Sequence, residues 1–272
     1  MSNYLQTSKK YKGFHYSVLS KEQLEYLHTR TSQIFASIKN ILDQNNIPYM
    51  VCGGTLLGAV TTGAFIPWDD DFDMCLFEED YERAINLLVE KMPKDTIVQC
   101  SKTEPHYFHG WVKVRDINSC VEPATLSYEN NGVWVDLYKL TKVKEKNIPF
   151  RIAKEHLDYL KRRLLAGDIS KKEYIKRIKE ASLYKKLLKT KLTALFSQKN
   201  EEKFVIWSAS KIVLKKDWIL PLKQYSFEGM QVSSFCKTDE YLKAHYGTNF
   251  RSLPTEELRR VGINNVKIKT IE

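Results

Sequence analysis

Apolar residues recur every three or four positions across residues 20–46. Leu24, Leu27, Thr31, Ile34, Ile38 and Ile41 fall on one stripe, which predicts an amphipathic helix. Ser20 stands at the N-cap position, Glu22 in the first turn, and Asn45, Asn46 and Pro48 at the end. The period then changes. Residues 49–52 read as a short buried strand, Gly53-Gly54 breaks it, and TLLGAV opens a second helix. A loop through Gly63 and Pro67 leads to a strand at residues 72–77, and residues 78–92 return to the helical stripe. TIVQC, GWVKVRD and GVWVDLYKL, rich in Val, Trp and Tyr, read as further strands.

Residues 150–216 change character. They are strongly basic, contain no glycine but Gly167, and read as helical. Tyr174, Ile178, Ala181, Leu188, Leu192 and Leu195 form one stripe there, interrupted by Lys185. FEGMQVSSF then reads as a strand pair or loop, and DEYLKAHYG as a helix ending at Gly247. There is no internal repeat. The expected fold is mixed α/β: a sheet core with its N-terminal helix over residues 1–145, a basic helical region over 146–220, and a C-terminal segment over 221–272 packed back on the core as one compact unit.

The 272 residues suffice for a substantial core, and 43% hydrophobic with 28% charged residues is ordinary for a globular chain. The net charge of +10 favours anionic partners: nucleotides, phosphorylated glycans, nucleic acid or an acidic membrane face. Five scattered cysteines without a CxxC argue against a disulfide framework or zinc knuckle, and toward a reducing compartment such as the cytoplasm. No signal peptide and no membrane-spanning apolar run is apparent, so a soluble or at most peripheral protein is expected.

The chemistry concentrates in GAFIPWDDDFDM. Asp71 and Asp73, two apart in a strand, project to one face, although Phe72 and Met74 beside them belong in a core. Two close carboxylates are costly unless something compensates them. A divalent cation does so, Mg²⁺ or alternatively Mn²⁺, and Asp136 in GVWVDLY offers a third carboxylate. A solvated acidic turn is the plainer reading, but Val133 and Val135 also look buried. Gly53 and Gly54 suit a turn whose amides approach phosphate oxygens, with the helix end and the Thr55 hydroxyl adding to the cradle.

CGGTLLGAV followed by GAFIPWDDDFDM resembles the LicD family of phosphocholine transferases, a branch of the nucleotidyltransferase superfamily that includes fukutin-like proteins. VWVDLYKL, FEGMQVSSF and DEYLKAHYGTNF resemble its later signatures. The resemblance covers roughly residues 30–140 and 225–255 and leaves the basic middle uncovered. It implies transfer of a phospho-alcohol from a CDP-activated donor, such as CDP-choline, to a sugar hydroxyl of a surface glycan, with CMP leaving. By position, Asp71, Asp73 and Asp136 would be metal ligands and catalytic carboxylates, and Gly53 and Gly54 would hold the donor phosphates. The family carries a basic pair where this chain has Thr61-Thr62; Lys113 and Arg115 are the replacements available for the donor.

Other residues have two readings. Of Asp69 and Asp70, one reads as a further metal ligand or as a contact to a ligand, and the other as a cap of the turn. Trp68 packs under the acidic loop rather than stacking on a base. His106 and His109 fit a surface or substrate loop better than a metal pair, and Cys52 is a buried small residue rather than a nucleophile. The basic helices either pack on the core or rest on an anionic membrane, where the glycan acceptor would be lipid-linked. A nucleotidyltransferase moving NMP from an NTP is the nearest rival function. An inactive membrane-bound scaffold and a non-catalytic nucleic-acid binder are further rivals, and the intact carboxylate set argues against both, so no nucleic-acid partner is expected.

Overall fold

The computed structural model describes residues 19–122, 124–125, 128–180, 201–208, 211–252, 263 and 265–268. Helix α1 (Lys21–Gln44) starts where expected: Ser20 accepts from the Gln23 amide while the Gln23 side chain accepts from the Ser20 amide. This reciprocal pair satisfies two backbone donors at the helix start. The strand β1 (Tyr49–Val51), helix α2 (Gly53–Thr61), strand β2 (Phe72–Phe77) and helix α3 (Glu78–Lys91) follow. Glu78, Glu79 and Asp80 open α3 and Lys91 closes it, matching the helix dipole. Strands β3 (Thr96–Gln99), β4 (Val112–Asp116), β5 (Ser119–Glu122) and β6 (Trp134–Lys144) come next.

The main sheet runs β1-β2-β6-β4-β3. β2 and β6 are parallel, and the other pairs on this path are antiparallel. Alternation along β2 sends Phe72, Met74 and Leu76, all fully buried, to one side. There Phe72 stacks on Phe35 of α1 at 4.1 Å and meets Phe65 and Phe227 edge-on. Burying each such side chain contributes about 1.5–3 kcal/mol. Asp73, between them in sequence, is turned to the opposite side.

The basic region departs from an all-helical reading. Helix α4 (Ile148–Leu165) and a helical stretch α5 over 171–180 are present. Residues 202–215, however, form β7 (Glu202–Ile206) and β8 (Ile212–Lys215), which extend the sheet from the far half of β6. Phe204, Val205 and Ile206 prefer a pleated, half-buried surface, and the eleven-residue β6 supplies the unfilled edge. Residues 181–196, which carry most of the expected amphipathic stripe, lie outside the described residues.

β9 (Lys223–Phe227) and β10 (Met230–Ser234) make the C-terminal hairpin, with Glu228 and Gly229 both at positive φ in its two-residue turn. The hairpin leads to α6 (Thr238–Tyr246), which ends at Gly247 as expected. Ser234 donates to the Val51 carbonyl at 2.7 Å, fixing the hairpin to β1. A last strand, β11 (Asn265–Ile268), pairs with β5. The chain is thus a mixed α/β fold, a sheet flanked by helices. Among the described residues, no helix is long and apolar enough to cross a membrane.

Candidate active site

Strand register assembles the site. Asp73 on β2 is the partner of Asp136 on β6, and Asp136 is the partner of Lys113 on β4. A carboxylate, a second carboxylate and an ammonium therefore stand in a row across three adjacent strands. Asp71 enters from the loop just before β2. Carboxylate oxygens of Asp71, Asp73 and Asp136 lie within 4.8 Å of one another. The flanking Phe72, Met74, Val133 and Val135 are fully buried, so this is no solvated turn.

Asp136 is 2% exposed and heavily hydrogen-bonded. Lys113 Nζ donates to both its oxygens at 2.7 and 2.9 Å. Trp111 Nε1 donates at 2.8 Å, Trp134 Nε1 at 3.1 Å and the Tyr138 hydroxyl at 3.2 Å. Lys113 is also buried, with its Nζ 4.2 Å from the Trp134 ring centroid. Burial pulls its pKa down, and the Asp136 charge opposes the shift.

Asp73 and Asp71 have no such cationic partner among the described residues. Burial and then the Asp136 charge push the Asp73 carboxyl up to about 7, while Tyr138, Lys113 and the Gly54 amide pull the other way. Tyr138 donates to Asp73 Oδ1 at 2.9 Å. Asp71 and Asp69 rise well above the ordinary carboxylate range, through burial and then neighbouring carboxylates. An all-oxygen donor set with unfavourable ionisation fits a hard divalent cation such as Mg²⁺ or Mn²⁺.

The diglycine does something the sequence did not suggest. A Cβ on Gly53 would stand 2.1 Å from Asp73 Oδ2, and one on Gly54 would stand 2.4 Å from Asp69 Oδ2. The missing side chains let the carboxylates come in. Gly53 has φ +56, and its amide donates to the Tyr241 hydroxyl at 2.9 Å. The Gly54 amide is directed at Asp73, and Thr55 Oγ1 accepts from the Asp73 amide at 2.8 Å. The groups expected to cradle donor phosphates are engaged within the fold, holding Asp73.

Arg115 is likewise engaged. It donates to Gln99 Oε1 at 2.7 Å and to the Gly132 carbonyl at 2.6 Å, and lies against the Trp134 ring. Of the two basic residues on β4, Lys113 alone pairs with a cluster carboxylate. Thr61 and Thr62 are exposed, with hydroxyls donating to the Leu57 and Gly58 carbonyls of their own helix. Trp68 packs with Leu19, Leu27 and Val133. Asp69 and Asp70 remain in the acidic loop, partly buried. His109 lies tilted against the Trp111 ring at 4.8 Å, and burial, then Lys113 and Arg115, pull its pKa well down; it belongs to neither carboxylate group. Burial pushes the Cys52 thiol well up, which suits a core residue.

Trp111, Trp134, Tyr138 and Tyr241 were not foreseen. Trp134 and Tyr138 flank Asp136 at two residues either side, so strand alternation could have found them. Trp111 needed the β4–β6 register. Tyr241 is 188 residues from Gly53 and carries no local signal.

Residues 46–168 match the family described as LicD/FKTN/FKRP, nucleotidyltransferase domain. The chain is 25% identical over 240 residues to the lipopolysaccharide cholinephosphotransferase LicD of Haemophilus influenzae, covering 80% of this chain and 87% of that protein. It is 44% identical over 48 residues to an uncharacterised protein of Rickettsia prowazekii, which is 18% of each chain. Among solved structures it matches terminal uridylyl transferase 4 from Trypanosoma brucei with bound CTP at 11% identity and a TM-score of 0.25, over 57% of this chain and 39% of that one.

Proposed function

We propose that this chain, whose residues 46–168 match the nucleotidyltransferase domain of the LicD family, transfers phosphocholine from CDP-choline to a sugar hydroxyl of a bacterial surface glycan. The acceptor oxygen forms a bond to the choline-bearing phosphorus, the pyrophosphate bridge breaks, CMP leaves with the bridging oxygen, and the hydroxyl proton passes to solvent or a nearby carboxylate. Supporting this reading above all is the Asp71–Asp73–Asp136 group, whose oxygens lie within 4.8 Å, two of its members sitting on adjacent strands of that same matched segment. The length of the similarity to the Haemophilus transferase favours a phospho-alcohol over other groups.

Asp71, Asp73 and Asp136 would hold a Mg²⁺ or Mn²⁺, which when bound supplies positive charge at the donor phosphates. The chain's own residues do the positioning. Tyr138 fixes Asp73 and Asp136 together. Lys113 pairs with Asp136 and places a positive charge beside the cluster. Trp111 and Trp134 wall off one side and orient Asp136 through their indole N–H groups.

We place the reaction in the cytoplasm, with peripheral contact at the inner membrane face where a lipid-linked acceptor would be met. Phe150 and Leu165 are 73% and 71% exposed on α4, and by helical spacing they share a side with the exposed Lys154 and Lys161.

Transfer of NMP from an NTP is the second reading, favoured by the nucleotidyltransferase character of the matched domain. Product analysis separates the two. Incubated with Mg²⁺ and choline-free lipopolysaccharide, the protein is expected to release CMP from CDP-choline and leave choline on the glycan. Inert CDP-alcohols, with pyrophosphate released from CTP, would establish the second reading instead.

A further inference from the structure

Helix α4 turns one stripe inward. Tyr159 and Ala166 pack with Tyr107, Phe108 and Tyr128, and Arg162 falls between them at helical spacing. Arg162 is half-buried. Its Nε donates to the Phe108 carbonyl at 3.0 Å. A Cβ on Gly110 would stand 3.6 Å from its Nη2, so the guanidinium lies over the bare backbone there. The next residue is Trp111, whose indole donates to Asp136. A few residues of chain, Phe108 to Trp111, therefore join Arg162 to the carboxylate group.

Positive charge gathers along this segment. After burial itself, the charges of Lys113, Arg115, Arg163 and Arg162 pull the His109 pKa well down. Three of these cations have a counter-charge. Lys113 has Asp136, and Arg163 pairs with Asp168. Arg115 reaches Glu104 through Gln99, which accepts from Arg115 Nε at 2.7 Å and donates to Glu104 at 3.2 Å. Arg162 is different. Among the described residues it forms no ion pair, and its Nη atoms make no hydrogen bond. Glu155, two turns earlier on the same stripe, also lies near Gly110 but does not pair with it. His109 Nδ1 is buried and likewise has no hydrogen-bond partner. Holding the loop accounts for the Nε bond to Phe108, but not for the unused fork of the guanidinium or the orphaned ring nitrogen. A guanidinium fork presents parallel N–H groups that match pairs of phosphate oxygens.

We propose that Arg162 and His109 form a phosphate subsite at the rim of the carboxylate group. The two Nη atoms take phosphate oxygens, and the His109 ring donates from Nδ1 to another in the tautomer that carries its proton there. Its ligand follows from the transfer reaction proposed above: a phosphate of the CDP-activated donor, or a phosphate ester on the acceptor glycan. Lys113 and Arg115, the basic residues that the sequence offers for the donor, are already committed to Asp136 and Gln99. A bound phosphate supplies both the counter-charge that Arg162 lacks and the acceptor that His109 Nδ1 lacks.

Inorganic phosphate titrated into the full chain, with the histidine ring signals followed by nuclear magnetic resonance, tests the subsite without any transfer reaction. The His109 signal, assigned with His109→Gln, should move saturably in wild type and stay in place in Arg162→Gln. Glutamine keeps a donor for the Phe108 carbonyl while losing the charge, and unchanged signals from the other histidines report that the variant is folded. Arg162→Lys, which keeps the charge without the fork, should bind phosphate more weakly than wild type. A His109 signal that phosphate leaves in place, or moves equally in Arg162→Gln, overturns the proposal. Calorimetry with Mg²⁺ then identifies the source of the phosphate. If it belongs to the donor, Arg162→Gln weakens CDP-choline binding roughly 10- to 100-fold. If it belongs to the acceptor, donor affinity is unchanged and the KM rises for a phosphorylated glycan alone. Neither change would overturn the assignment to the substrate. If the transfer reading itself were wrong, phosphate would still move the His109 signal while no CDP-alcohol bound, which keeps the two failures apart.

Discussion

Asp73 is the residue whose surroundings make the sharpest prediction. Its carboxyl rises from an ordinary value of 3.8 to about 7, so the folded chain holds that proton more tightly than the unfolded chain does. In metal-free protein this contribution is fully present below the unfolded value and is lost as pH rises toward the folded one. Asp73→Asn removes the cost of ionisation. Melted in EDTA, the variant should exceed wild type at about pH 7.5 and converge with it below about pH 4, at roughly 2–4 °C for each kcal/mol recovered. A wild type that melts higher at the upper pH would contradict the account. At this scale much was legible. The two-residue spacing of Asp71 and Asp73, among residues that bury, announces paired carboxylates. The role of the diglycine was not legible, because it depends on where Asp69 and Asp73 turn.

Between elements, register is what matters. Lys113 and Asp136 are both buried and meet only because β4 and β6 pair as they do. Lys113→Met leaves a buried carboxylate without its cation, an arrangement that costs about 3–5 kcal/mol. Chemical denaturation in EDTA should show that loss, and Mg²⁺ should recover part of it. A loss that Mg²⁺ leaves untouched would separate Asp136 from the metal. Tyr241→Phe tests the link from α6 to the diglycine turn. It strands the buried Gly53 amide at a cost of about 1–3 kcal/mol, while the ring keeps its packing on Phe235. Unchanged stability would mean the amide finds another acceptor.

The central strands and α1 to α3 could be read from period alone, because each carries its own alternation or three-to-four-residue apolar stripe. β7 and β8 could not: their strand state comes from an open edge on β6, and their lysines, such as Lys203 and Lys215, resemble the basic helices before them. β5 and β11 pair across more than 140 residues in sequence, beyond any local pattern.

The whole chain carries a net charge of +10, and α4 leaves Phe150 and Leu165 exposed. Sedimentation with phosphatidylglycerol vesicles at low salt should carry the protein down, and Phe150→Ser with Leu165→Ser should weaken the binding. Each lysine near an anionic surface adds about 1 kcal/mol, so ~0.5 M salt should release it. Equal binding to neutral vesicles would refute an electrostatic component. His245 shapes the acid limb. Burial pulls it down to about 4, so stability present above the ordinary histidine value of 6.5 is lost as pH falls toward the folded value. His245→Phe should flatten thermal stability across that window, and an unchanged slope would assign the acid limb to other groups.

The central claim is that the carboxylate group binds a CDP-alcohol through a divalent cation. Calorimetric titration of CDP-choline with and without Mg²⁺, into wild type and Asp73→Asn, tests it most directly. Binding by wild type that requires Mg²⁺ and vanishes in the variant is the predicted result. Binding indifferent to Mg²⁺ and to Asp73, or no binding of CDP-choline, CDP-glycerol or CDP-ribitol under any condition, would contradict it.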